Sequence, residues 1–136
     1  MRSLVLFDLH YQQNNPLSRR KLNRIVELEG DFDAVILGGD NEELSSVLQN
    51  HRVLFETLKR KFECPFGFIV GNHELWGKLA DVSSWRLLNE IFPNVGREYG
   101  FAYVEQENLD VKNYSFIGTY GHFDYSFLKS NKGVSM

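Results

Sequence analysis

Three short runs of unbroken apolar residues mark the first half of the chain: Leu4-Val5-Leu6-Phe7, Ala34-Val35-Ile36-Leu37 and Phe66-Gly67-Phe68-Ile69-Val70. A half-exposed strand alternates apolar and polar positions, so runs without alternation predict strands buried on both faces. The second and third runs each stop at a glycine followed by polar residues, which marks the strand end. Between the runs the apolar spacing changes. Leu17, Leu22, Ile25, Val26 and Leu28 predict a first helix, opened by Pro16 and ended by Glu29-Gly30-Asp31. Leu44, Val47, Leu48, Leu54, Phe55, Leu58 and Phe62 recur near the 3.6-residue period and predict an amphipathic helix over 43–62, stopped by Pro65. Strands alternating with helices imply βαβ units with right-handed crossovers and a parallel sheet, so the predicted class is α/β.

A further helix is predicted over 82–92. The segments Phe101-Ala102-Tyr103-Val104, Leu109-Asp110-Val111 and Tyr114-Ser115-Phe116-Ile117 then read as short strands of more antiparallel character. The last residues, 129–136, are polar and aperiodic and are expected to form a loose terminus. No internal repeat or low-complexity segment interrupts this plan.

A chain of 136 residues is long enough for one domain with a sheet covered by helices. Its 15 basic and 18 acidic residues give a net charge of −3, a field that does not draw in polyanions as a nucleic-acid binder's would. A phosphate ester bound by such a chain needs a metal to supply positive charge. The single cysteine, Cys64, cannot form an internal disulfide, which favours a reducing, cytoplasmic setting over a secreted, stapled fold. Asp8 and His10 interrupt the N-terminal apolar run before a signal-peptide core forms, and no stretch approaches the roughly 20 apolar residues of a membrane span.

The polar residues at the three strand ends carry the candidate chemistry. Asp8-Leu9-His10 follows the first strand, with two side chains at i and i+2 able to share one cation. The bland alternative is a strand-end aspartate accepting turn hydrogen bonds. Gly38-Gly39-Asp40 follows the second, where Asp40 with Glu43 also reads as the capping box of the long helix. Gly71-Asn72-His73-Glu74 follows the third. Open α/β sheets bind ligands outside the carboxyl ends of their strands, and all three clusters fall there. Asp, His and Asn without thiolates suit Mn, Fe or Zn in a hydrolytic centre rather than a structural zinc site.

In that order, Asp8-x-His10, Gly39-Asp40-x-x-Glu43 and Gly71-Asn72-His73-Glu74 resemble the opening signature of calcineurin-like metallophosphoesterases, and residues 117–126 resemble a stretch that follows in some members. The resemblance implies a four-layer αββα sandwich with two divalent metal ions at the strand ends. It implies Asp8 and His10 on the first metal, Asp40 bridging both and Asn72 on the second. A metal-bridged hydroxide would attack the phosphorus of a phosphate mono- or diester, His73 would serve the leaving oxygen, and Glu43 would orient His73. Later family histidines, including a Gly-His-x-His motif, have no counterpart here; the other histidines are His51, on the apolar stripe of its helix, and His122. The expectation is therefore one truncated domain over residues 1–136 with an incomplete second sheet and exposed apolar surface. Two functions follow from it: a metal-dependent phosphoesterase, or a catalytically silent metal-binding or interaction module completed by a second copy or a complementing chain.

Overall fold

The computed structural model describes residues 1–42, 47–75 and 82–119. Its centre is a parallel sheet in which β1 (Ser3–Leu6), β2 (Ala34–Gly38), β3 (Phe66–Ile69) and β4 (Ala102–Tyr103) lie in that spatial order. In register, Val5 faces Ile36 across the first pair, Ile36 faces Gly67 across the second, and Phe68 faces Tyr103 across the third. The three apolar runs are these strands. β2 explains its lack of alternation: Val35 and Leu37 enter the core on one face while Ala34 and Ile36 enter a second cluster on the other.

Helices cover the first face. Asn15 caps α1 (Pro16–Val26) by accepting the Leu17 N–H at 2.9 Å, and Pro16 fills the first turn where its missing N–H costs nothing. In α2 (Val47–Lys61), Leu54, Phe55 and Leu58 are fully buried. The Phe55 ring stacks on Phe101 at 3.8 Å between centroids, and Phe68 packs against Tyr103 at 5.1 Å. A single turn, α3 (Asn72–Leu75), follows β3.

The helix predicted to stop at Phe92 runs on. After α4 (Ser84–Arg86) the chain makes a π-helical turn over Leu87–Ile91 and continues as α5 (Phe92–Tyr99). Pro93 lacks an N–H and its ring would collide with the carbonyl four residues back; the widened turn just before it absorbs both problems. α5 ends at Gly100 in the left-handed conformation.

β4 corrects a second expectation. The stretch 101–104 is not part of an antiparallel set, because Ala102 and Tyr103 extend the parallel sheet beside β3. Its aromatic side chains join the helix-side core, a tertiary preference that local sequence does not encode. Among the described residues only β5 (Leu109–Val111) and β6 (Tyr114–Phe116) are antiparallel, forming a hairpin on the sheet's other face. There Val111, Leu109 and Phe116 pack on Ala34 and Ile36. Gly67 permits that approach, since a Cβ there would lie 2.9 Å from Val104 Cγ1 and 3.1 Å from Leu109 Cδ2. Asp33 ties the hairpin down, meeting Lys112 Nζ at 2.5 Å and accepting the Arg2 N–H at 2.8 Å.

Helices, parallel sheet and second sheet are three layers of the expected sandwich, and the second sheet has two strands among the described residues. Beyond the hairpin's reach, Val5, Phe7 and Ile117 stay 50%, 62% and 75% exposed. Among the described residues no helix is long and apolar enough to cross a membrane.

Candidate metal centre

Parallel strands bring the carboxyl ends of β1, β2 and β3 to one edge, and the loops leaving them are laced together. Asp8 N–H donates to Gly39 O at 3.1 Å, His10 N–H to Asp40 O at 3.1 Å and Tyr11 N–H to Asn41 O at 2.8 Å. The ladder between β1 and β2 thus continues past the strands into the polar segments. Asp8, His10 and Asp40 adopt φ of 53°, 45° and 48°, in the left-handed region. Asp and His enter this region more readily than most residues, yet each such position costs on the order of 1 kcal/mol and persists only where the surroundings enforce it. Among the described residues one other non-glycine, Lys112 in the β5–β6 turn, shares this conformation. Backbone strain therefore concentrates on the strand-end residues.

The result is a convergence. His10, Asp40 and His73 each bring one donor atom within 4.8 Å of the others. The imidazoles of His10 and His73 meet edge to face, with centroids 4.5 Å apart and planes at 81°. Of the four expected ligands, His10 and Asp40 are in this group. Asp8 is not; its exposed side chain lines an adjoining cavity of about 200 Å³ with Asp40, Gly39, Gly71 and Thr119. Asn72 opens α3, between Gly71 and His73 at the same sheet edge. His73, expected to address the leaving oxygen, stands among the donors themselves. Glu43 and His122 lie outside the described residues. His51 is fully buried in the helix-side core and takes no part in the group.

Two carboxylates cross between the loops. Asp40 Oδ1 accepts the His73 N–H at 2.9 Å, so this side chain caps the turn after β3, and the capping box expected with Glu43 lies outside the described residues. In return, Glu74 reaches back. Its Oε2 accepts from Gly71 N at 2.8 Å and Asp40 N at 3.1 Å, and its Oε1 from Asn41 N at 2.6 Å and Glu42 N at 3.3 Å. Gly71 must be glycine, because a Cβ would overlap the Asp40 carboxylate.

Behind this brace, Glu42 and His51 are both fully buried, with Glu42 Oε1 2.5 Å from His51 Nδ1. Burial pushes the Glu42 carboxyl well above the usual carboxylate range, and the nearby Glu74 charge adds to the shift. Sequence reasoning quoted Glu74 within Gly71-Asn72-His73-Glu74 without giving it a role, and did not single out Glu42. A signal for Glu42 existed: a histidine on an apolar helical stripe needs a polar partner, and the acidic pair before that helix offered one. For Glu74 the four-amide environment is invisible until the loops are juxtaposed.

Two imidazoles and a carboxylate, with a further carboxylate at the cavity, form a donor set that fits Mn, Fe or Zn. The family model for calcineurin-like phosphoesterases matches residues 1–134. The chain belongs to this family. No curated protein and no solved structure matches it. The chemistry that this family suggests is metal-dependent hydrolysis of phosphoesters.

Proposed function

We propose that the chain hydrolyses a phosphate mono- or diester at the strand-end centre, using two divalent cations drawn from Mn, Fe or Zn. The observation that carries this reading is the convergence of His10, Asp40 and His73 within 4.8 Å beside a cavity. Asp8 and His10 would hold one cation, Asp40 would serve both, and Asn72 would reach the second. Bound there, the metals supply the positive charge that polarises the phosphoryl oxygens and lowers the pKa of water. No basic side chain lines the adjoining cavity among the described residues, so an anionic ester depends on that charge. His73 donates a proton to, or a hydrogen bond at, the departing oxygen. The lacing of the Asp8 and His10 N–H groups to the Gly39 and Asp40 carbonyls fixes the donors before substrate arrives.

The test is to strip the protein with a chelator and restore Mn²⁺, Fe²⁺ or Zn²⁺ separately while following 4-nitrophenyl phosphate and bis(4-nitrophenyl) phosphate. Activity that disappears on chelation and returns with metal supports the reading. Hydrolysis indifferent to chelation contradicts it.

A second reading is favoured by one observation. Among the described residues β1 is an edge strand of the parallel sheet, and Val5 within it and Phe7 just after it expose apolar surface. A second copy of the chain would cover this face and stand close to Asp8, so the working unit in this reading is a homo-oligomer.

A further inference from the structure

We propose that Glu74 is a positioning residue for the metal centre: it holds Asp40 and His73 in register by binding the loops after β2 and β3 as one unit. The inference rests on the metallophosphoesterase reading of the same site. Glu74 is fully buried, at the first turn after β3, and its carboxylate accepts four backbone amides. Three of these, from Asp40, Asn41 and Glu42, belong to the loop after β2, and the fourth, from Gly71, to the loop after β3. A buried carboxylate is tolerated only where such bonds replace its water, and charge-assisted bonds to backbone are among the stronger ones.

The consequence for Asp40 is direct. Its backbone sits at φ 48°, a conformation the chain does not prefer, and its N–H is held by Glu74 Oε2. The same oxygen holds Gly71 N–H, which fixes the spacing between the Asp40 loop and the residue two before His73. Asp40 Oδ1 closes the circuit on His73 N. Removing the Glu74 charge loosens both loops at once, so the donors of Asp40 and His73 lose their common frame. Glutamine cannot substitute, because its single acceptor oxygen serves one side and its NH₂ group meets two N–H donors on the other.

The experiment is calorimetric titration of Mn²⁺ into the full chain as wild type, Glu74→Gln and Leu58→Ala, with folding checked by circular dichroism. Leu58 is a buried core residue of α2 that bonds to neither loop, so Leu58→Ala reports loss of stability alone. The expected result is Mn²⁺ affinity weakened about 10- to 100-fold in folded Glu74→Gln, and unchanged in Leu58→Ala. Wild-type affinity in folded Glu74→Gln overturns the positioning role, as does an equal loss in Leu58→Ala. Where Glu74→Gln does not fold, Glu74→Asp takes its place: its shorter arm keeps the charge but cannot span both loops, so weakened binding supports the role and wild-type affinity overturns it. A wild type that binds no Mn²⁺ overturns the metal-centre reading itself, and the positioning role with it.

Discussion

Asp40 Oδ1 accepts the backbone N–H of His73 at 2.9 Å across 33 residues of sequence. A carboxylate has two oxygens, so one can brace the loop after β3 while the other serves a cation. Asp40→Asn removes the charge from a residue that does both, whereas His73→Ala leaves the Asp40 carboxylate and its amide contact in place. Mn²⁺ affinity should fall at least about tenfold, or about 1.4 kcal/mol, in Asp40→Asn, and by less in His73→Ala. Calorimetry on both variants checks the order; equal affinity in wild type and Asp40→Asn contradicts the shared-ligand assignment.

Gly71→Ala tests the closeness of the two loops. The new methyl would overlap the Asp40 carboxylate and crowd its backbone N, and the backbone has no slack to move away because Glu74 holds Gly71 N–H. We expect a loss of about 1–3 kcal/mol in stability, the usual range for overpacking, with reduced Mn²⁺ binding. Urea denaturation with and without Mn²⁺ measures both, and a fully stable variant with normal metal affinity contradicts the contact.

The strands β1 to β3 were legible because each is an unbroken apolar run, and burial of β2 on both faces is what such a run requires. The strand-end residues were legible because the topology of parallel sheets sends them to one edge. The helix expected over 82–92 ended too early because the π-helical turn that carries it past Pro93 is a cooperative feature of the folded helix. β4 misled because two residues carry no direction of pairing; contact with Phe68 decides it. Glu74 and Glu42 stayed hidden because nothing local distinguishes a buried acid from an exposed one. Their roles come from amides and an imidazole supplied by other segments.

The acid limb of stability should report the hairpin tether. Lys112, then the Arg2 N–H, holds the Asp33 carboxyl below its ordinary 3.8. A carboxyl depressed in the folded state contributes stability above its unfolded value and loses it as pH falls through the folded value. As pH is lowered from about 4 through the acid range, wild-type stability should therefore fall more steeply than that of Asp33→Asn, which lacks the tether at every pH. Urea midpoints across this range decide it, and parallel curves contradict the assignment.

Self-association follows from the uncovered apolar face. Phe7, just after the edge strand β1, and Ile117, just after β6, are 62% and 75% exposed, apolar surface of a kind that proteins usually cover. Sedimentation at about 50 µM should show a dimer or larger species, and Phe7→Ser with Ile117→Ser should return the monomer. A monomeric wild type under those conditions contradicts the partner-completed reading.

The most direct test of the metal-dependent phosphoesterase at this centre is nitrophenol release from bis(4-nitrophenyl) phosphate under saturating Mn²⁺, with wild type and Asp40→Asn purified side by side. Asp40 is the residue on which donors, strained backbone and loop brace all meet. Mn²⁺-dependent release by the wild type, reduced at least about 100-fold in Asp40→Asn, is the predicted result, since both cations and the His73 loop depend on that carboxylate. Equal Mn²⁺-dependent rates in the two proteins, or no metal-dependent release by the wild type, would contradict it.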